Sequence, residues 1–312
     1  MNCFRFIYSR NQDLNKMEEV KSVNDTDEVK MIDRDVLDYI VNKKSLKSNY
    51  YSDKEIIPKV PQAKLVEYVV RAQKENKKLL IVHTQGAYNP PHIGHINMIL
   101  DAKDAVEKSE GYILLAAYMS PSPDTHIDKK KQQSLSEGGD YLHLNFDERC
   151  FLIERMISNL GYQDWIFVNR YEGVHEKVSV TKTWINMQEF AQEMIQQIKE
   201  TLKLNDVNLA SLNKLVEVAF LIGSDKLNYK SKTMDEFSKE VKVDKKNLHL
   251  PIIIKQRAEL NNEKAQAKMA EYIKYNKEEQ IKNKVFVCTD RENFSSTQFR
   301  EYIKKIQLKE SV

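Results

Sequence analysis

The chain has 312 residues, 41% hydrophobic and 30% charged, with a formal charge of +3, so it can bury the core of one large α/β domain and carry an extension besides. So balanced a charge creates no electrostatic demand for a nucleic-acid polymer, and Cys3, Cys150 and Cys288 lack the spacing of a zinc site or a disulfide framework. The longest apolar run, Tyr112 to Met119, has strand length and falls short of the roughly 20 residues of a membrane helix, so the expectation is an intracellular protein, cytoplasmic or nuclear, without a membrane partner.

Met1 to Gln12 carries Arg5 and Arg10 among Phe4, Phe6, Ile7 and Tyr8, with no acid before Asp13. That is a faint mitochondrial-targeting pattern, set against sparse serine and short length; a loosely packed terminus is the simpler alternative. Up to Lys78 the chain is charged and poor in strand signals. Val36-Leu37 with Tyr39-Ile40-Val41, and Leu65-Val66 with Val69-Val70, fit two short amphipathic helices, and Pro58 and Pro61 punctuate the approach to the second. Residues 1–78 therefore read as a charged, mostly helical N-terminal extension, and residues 79–312 as the main domain.

From Leu79 onward, short apolar runs alternate with helical patterns: Leu79–His83, Tyr112–Met119, Trp165–Val168, Val216–Ile222, Leu250–Ile254 and Val285–Cys288. This alternation predicts a Rossmann-like, doubly wound parallel sheet of the α/β class with helices on both faces. Trp184, Met187, Ala191, Met194, Ile198 and Leu202 recur at helical spacing, as do Phe299, Tyr302, Ile303 and Ile306, and both stripes read as core. Lys129 to Asn145 is polar and contains Gly138-Gly139, which predicts a long loop, while Ala258 to Asn283 reads as a solvated helix over one sheet edge. There are no internal repeats.

The chemistry gathers where strands end. Directly after the first run stand Gly86-Ala87-Tyr88-Asn89-Pro90-Pro91-His92-Ile93-Gly94-His95. Glycine admits close approach of a ligand to the backbone, the prolines stiffen the turn, and histidines three apart share one face of the helix that follows. Unpaired amides at a helix start attract anions, so imidazoles there point to a phosphate chain. Taken alone, a His-x-x-His among seven histidines is ordinary, and equally compatible with a metal pair.

After the second run come Ser120-Pro121-Ser122-Pro123-Asp124 and then Lys129-Lys130-Lys131, a charge run that on its own is a solvated face. Phe146-Asp147-Glu148-Arg149 opens a helix with Leu152, Ile153, Met156 and Ile157 turned inward. It ends before Gly161, and Asp164-Trp165-Ile166-Phe167-Val168-Asn169-Arg170-Tyr171-Glu172 follows. Gly223-Ser224-Asp225 closes the fourth run, and a carboxylate just beyond a strand suits ribose hydroxyls. Phe294-Ser295-Ser296-Thr297-Gln298-Phe299-Arg300 precedes the terminal helical pattern; hydroxyls at a helix start cap amides, and an arginine one turn on presents a planar fork to the same oxygens.

In this order, the first segment resembles the signature of the HxGH nucleotidyltransferases, and the last resembles their second motif, Ile-Ser-Ser-Thr-x-x-Arg, with Phe294 in place of isoleucine. Asn89-Pro90-Pro91 makes the chain look most like the eukaryotic-type nicotinamide-mononucleotide adenylyltransferases. The resemblance runs discontinuously over about residues 79 to 306. It implies adenylyl transfer from ATP to nicotinamide mononucleotide, giving NAD and pyrophosphate, with magnesium carried by the phosphates. It further implies that His92, His95 and Arg300 are catalytic, and that Gly86, Ala87, Tyr88, Lys130 or Lys131, Gly223, Asp225, Ser295, Ser296 and Thr297 bind ATP. Asn89, Trp165, Tyr171 and Glu172 would bind the mononucleotide, with the indole of Trp165 stacked on the pyridine ring.

One departure bears on substrate choice. The second indole that sandwiches the ring in that family has no counterpart beyond Asp225, where Tyr229 or Phe237 would have to substitute, and Trp184 sits on a core stripe. Nicotinate mononucleotide, a phosphopantetheine or cytidylyl acceptor, or an inactive nucleotide-binding scaffold are the competing readings. A homo-oligomer is left open.

Overall fold

A computed structural model describes residues 34–41, 55–108, 111–137, 141–175 and 215–223, together with shorter segments at 186–187, 189–196, 200, 252–255, 285–288, 299–301 and 303. Six strands, β1 (Lys78–Gly86), β2 (Tyr112–Pro121), β3 (Ile166–Val168), β4 (Val216–Gly223), β5 (Ile252–Lys255) and β6 (Val285–Cys288), form one sheet in the order β3-β2-β1-β4-β5-β6. Every neighbouring pair is parallel. The helices are α1 (Arg34–Val41), α2 (Gln62–Glu75), α3 (Ile93–Glu107), α4 (Asp124–Ser136), α5 (Phe146–Asn159) and the single turn α6 (Tyr171–Val174).

The strand order proceeds from β1 outward to β3 and then returns to the other side of β1 as β4, so the winding reverses between β1 and β4. Both faces of the sheet are covered, which is why Leu79 to Val82 and Ile113 to Met119 can be apolar without a break. On one face α2 and helical residues between 186 and 196 lay Leu65, Val69, Met187 and Met194 over Leu79, Ile81, Tyr118 and Val218. On the other, α1, α3, α5 and helical residues near Phe299 lay Ile40, Ile96, Ile153 and Phe299 over Leu80, Val82, Met119 and Leu221. The core thus runs across position 78: Leu65, Val69 and Ala72 are as enclosed as the strands they cover. The protein is a Rossmann-like, doubly wound α/β fold, and among the described residues no helix is long and apolar enough to cross a membrane.

The polar stretch expected to be a loop from Lys129 to Asn145 is instead helix in its first half, since α4 continues to Ser136, while residues 141–145 are loop as expected. The cause of the helix is local. No glycine or proline interrupts residues 124–136, Pro123 stands just before the start, and Asp124 in the first turn meets the positive end of the helix dipole. Ile127 is fully buried and supplies the one apolar anchor. Read as composition, three lysines and two glutamines look like a loop; read as propensity, they are good helix formers.

Helix α5 opens with reciprocal capping: Glu148 N–H donates to Asn145 Oδ1 at 2.9 Å, and Asn145 N–H donates to Glu148 Oε2 at 2.8 Å. It closes at Gly161, whose φ of +75° is the left-handed conformation that glycine adopts without strain. The stretch Ala258 to Asn283 and the core-stripe residues Trp184, Ile198, Leu202, Tyr302 and Ile306 lie outside the described residues.

Candidate active site

Register brings the strand ends together. Gly86 pairs with Pro121, Met119 with Val168, and Thr84 with Leu221, so Gly223 is level with Gly86. The carboxyl ends of β1, β2 and β3 therefore lie side by side next to the point where the winding reverses, which is where such sheets form their ligand crevice. Ser122 N–H donates to Gly86 O at 2.8 Å and ties the first two strand ends directly.

The loop after β1 folds back on itself. Tyr88 has φ +45°, and its ring lies over Gly86 so closely that a Cβ there would stand 3.1 Å from the ring. The phenol donates to Thr84 Oγ1 at 3.4 Å, the ring meets His95 edge-on at 4.8 Å, and burial pushes the phenol pKa well up. Tyr88 is thus the floor of the cradle, and only its backbone remains for a ligand.

His92 stands at the N-cap of α3 with His95 one turn on, their rings 3.7 Å apart and tilted by 33°. The backbone N–H of His92 donates to Nδ1 of His95 at 3.1 Å. A nitrogen that accepts carries no proton, so the ring hydrogen of His95 lies on Nε2. The histidine pair thus stands at the amino end of α3, whose dipole favours an anion, with His92 buried and the His95 N–H already donating to His92 O at 2.9 Å.

Arg300 arrives from 211 positions away: its Nη1 donates to Asn89 O at 2.8 Å, and its guanidinium stands 5.6 Å from the Tyr141 ring. Burial pulls its pKa below the usual guanidinium value, yet it stays cationic at any physiological pH. Asn89 spends its carboxamide inside the protein, donating to Leu142 O at 2.6 Å and accepting from Leu144 N–H at 3.2 Å. Its side chain is a clamp on the loop, and its carbonyl is the seat of Arg300.

The residues after β3 divide. Tyr171 and Glu172 lie beyond the carboxyl end of the strand, on α6, and Gln85 Nε2 donates to Glu172 Oε2 at 2.5 Å, which joins them to the end of β1. Tyr171 is half-buried and stacks on His175 with ring centroids 4.4 Å apart. Trp165 lies elsewhere. It precedes β3, its carbonyl accepts from Ala117 N–H at 2.8 Å, and its ring packs on Tyr162 at 5.7 Å. Ala117 pairs with Val82, four residues before Gly86, which puts Trp165 roughly 13 Å down the strands from the crevice at 3.3 Å per residue. The indole is set back from the carboxyl ends of the strands, level with the middle of β1 and β2, whereas Tyr171 lies beyond the end of β3.

Of the lysines, Lys129 and Lys130 are exposed, whereas Lys131 is half-buried on the inward face shared with Asp124, Ile127 and Ser134. Ser224, Asp225, Tyr229, Phe237, Ser295, Ser296 and Thr297 lie outside the described residues. Among the described residues no group of three His, Cys, Asp or Glu could hold a metal ion.

Two buried polar residues near these strand ends escaped the sequence reading. Arg149 is wholly buried and donates to Ala87 O, Ser122 O, Leu144 O and Asp124 Oδ1. A signal existed: Arg149 falls on the same helical stripe as Leu152, Ile153 and Met156, where a charge needs a reason. His83, fully buried on β1, meets Ser120 Oγ at 2.7 Å through Nε2, and burial pulls its pKa down to about 3. No protein-family model matches the chain, and no curated protein matches it in sequence.

Proposed function

We propose that the chain is an adenylyltransferase of the HxGH kind that joins ATP and nicotinamide mononucleotide into NAD. The observation that carries this reading is the hydrogen bond from Arg300 to Asn89 O at 2.8 Å, since it joins the two motifs of the resemblance at one loop. The phosphate oxygen of the mononucleotide attacks the α-phosphorus of ATP, a P–O bond forms there, and the bond to the bridging oxygen of the β-phosphate breaks in line. Pyrophosphate departs with the electron pair, and no protein nucleophile is needed.

Such catalysis is positioning and charge neutralisation. Nε2–H of His95 donates to a phosphate oxygen, with His92 beside it at the start of α3. Arg300 and Lys131 hold the pyrophosphate portion; Lys131 is preferred to Lys130 because it lies on the inward face of α4. Gly86 makes room for the Tyr88 ring and Ala87 is held by Arg149, so both shape the loop on which the phosphates rest, while Asp225 takes the ribose and Ser295 to Thr297 the phosphates, as the resemblance implies. The imidazole, ammonium and amide donors fit a phosphate chain, and magnesium borne on those phosphates and water supplies further neutralisation of the leaving group. Tyr171 takes the ring-stacking role that the resemblance had assigned to Trp165, with Gln85 and Glu172 beside it.

The test is pyrophosphate release by the full chain with ATP and, in parallel, nicotinamide mononucleotide, nicotinate mononucleotide and phosphopantetheine, plus CTP with a phosphorylated alcohol. Release with a pyridine mononucleotide and appearance of NAD or its nicotinate counterpart is the expected result. Release only with another acceptor moves the chain to a sister activity. ATP binding without release in any arm makes it an inactive scaffold.

A further inference from the structure

Burying a guanidinium is costly, and a buried ion pair is weak grounds for stability by itself, because a well-packed apolar residue often serves as well. Position 149 faces the core with Leu152, Ile153 and Met156, where leucine or methionine would pack without that cost. What the guanidinium does with its donors explains its presence.

Nη1 donates to Ala87 O at 2.9 Å and to Ser122 O at 2.7 Å, Nη2 to Asp124 Oδ1 at 2.8 Å, and Nε to Leu144 O at 3.2 Å. Ala87 belongs to the loop that leads to His92 and His95, Ser122 follows β2, and Asp124 is the first residue of α4. Leu144 also donates its N–H to Asn89 Oδ1, so the loop is held at both Ala87 and Asn89 against the same segment. Lys131 lies two turns from Asp124 on the same face of α4, and so inherits its position from the Arg149–Asp124 pair, whose carboxylate is the counter-charge to the buried cation. Only a planar fork reaches acceptors on separate loops at once; an ammonium is a point donor.

We propose that Arg149 is a positioning residue, which sets the spacing between the loop bearing His92 and His95 and the helix bearing Lys131, and thereby governs affinity for the triphosphate of ATP. The inference rests on the proposed adenylyl transfer. Selectivity for one substrate follows from what the guanidinium touches: Ala87, Ser122 and Asp124 lie on the triphosphate side. Tyr171 and Glu172 hang from β3 and Gln85, outside the ring of bonds.

Two variants of the full chain test it, Asp124→Asn and Arg149→Lys, with the dissociation constant of ATP measured at equilibrium and the KM of each substrate measured in turnover. The Asp124 side chain is 41% exposed and asparagine keeps an oxygen acceptor for Nη2, so Asp124→Asn removes the counter-charge without opening a cavity; Tm is measured alongside, and the ratio of the two substrates' KM changes decides the matter even where Arg149→Lys does not fold. Asp124→Asn should raise the dissociation constant and KM of ATP by about 10-fold, the size of one charge-assisted hydrogen bond, while KM for the mononucleotide moves less than about twofold. Arg149→Lys should show a larger loss with the same selectivity, because keeping the charge without the fork does not rescue the geometry. Unchanged ATP affinity in Asp124→Asn, or equal losses for both substrates in step with a falling Tm, would overturn the role. A wild-type chain that does not bind ATP sinks the proposed function and this inference together; one that binds ATP with Asp124→Asn unaffected sinks this inference alone.

Discussion

The two ends of the same parallel strands are built on opposite rules. At the amino end, polar side chains satisfy one another: Lys78 Nζ meets Glu217 Oε1 at 2.6 Å, Tyr112 donates to Glu217 Oε2 at 3.0 Å, and Trp165 leans on Tyr162. At the carboxyl end, polar side chains are turned to fix the main chain. Arg149, Asn89 and Arg300 between them hold Ala87 O, Leu142 O, Ser122 O, Leu144 and Asn89 O. The first arrangement closes an edge; the second sets the shape of the loop that carries His92 and His95. One sheet thus carries a closed edge and a candidate site, and strand direction separates them.

The largest effect that would break this comparison belongs to His95. His95→Ala should lower turnover by about 10²–10³, the scale of losing one preorganised donor, with Tm nearly unchanged. A variant with full turnover would reduce the imidazole pair to a helix cap. Next in size is the sealed histidine beneath the cradle. Because burial holds His83 neutral down to about 3 in the fold, against an ordinary value of 6.5, the unfolded chain binds the proton more readily in between. Stability is therefore complete above pH 6.5 and falls with acid, by up to about 1.4 kcal/mol per pH unit. Denaturant titrations from pH 7 to pH 5 should show this slope, and His83→Phe should flatten it.

A sharper comparison uses two aromatic residues at opposite ends of β3. Tyr171→Ala should raise KM for the mononucleotide several-fold, as expected for losing roughly 0.5–2 kcal/mol of ring stacking. Trp165→Ala should leave that KM alone and lower Tm instead, through lost packing. The reverse outcome would return the stacking role to the indole. The smallest effect is at the amino edge, where Glu217→Gln should cost about 1 kcal/mol or less and leave ATP affinity untouched, as befits a partly exposed pair.

How far the residues could be read in advance differs by kind of signal. Continuous apolar runs located all six strands, with β1 extending beyond His83 to Gly86. The Gly86 to His95 segment announced itself because its chemistry is local: glycine, prolines and paired imidazoles act within one loop and one turn. The stretch after Lys129 was misread because lysine and glutamine are polar in composition yet favourable in a helix, and one buried Ile127 sufficed to anchor it. The resemblance gave the stacking role to Trp165, yet its place before a parallel strand sets it back from the carboxyl ends, where Tyr171 lies. Arg149 showed only as a charge on an apolar stripe, without its partners.

By itself, the order of apolar runs and breakers determined the α/β class and the site's strand, because period and turn chemistry are written in neighbouring residues. Tertiary structure alone decided which distant groups meet. Arg300 finds Asn89 across 211 positions, and Arg149 finds acceptors from 5 to 62 positions away. Those bonds depend on strand order and register, which place side chains from separate loops at one sheet edge, and no local propensity encodes where the far partner will stand.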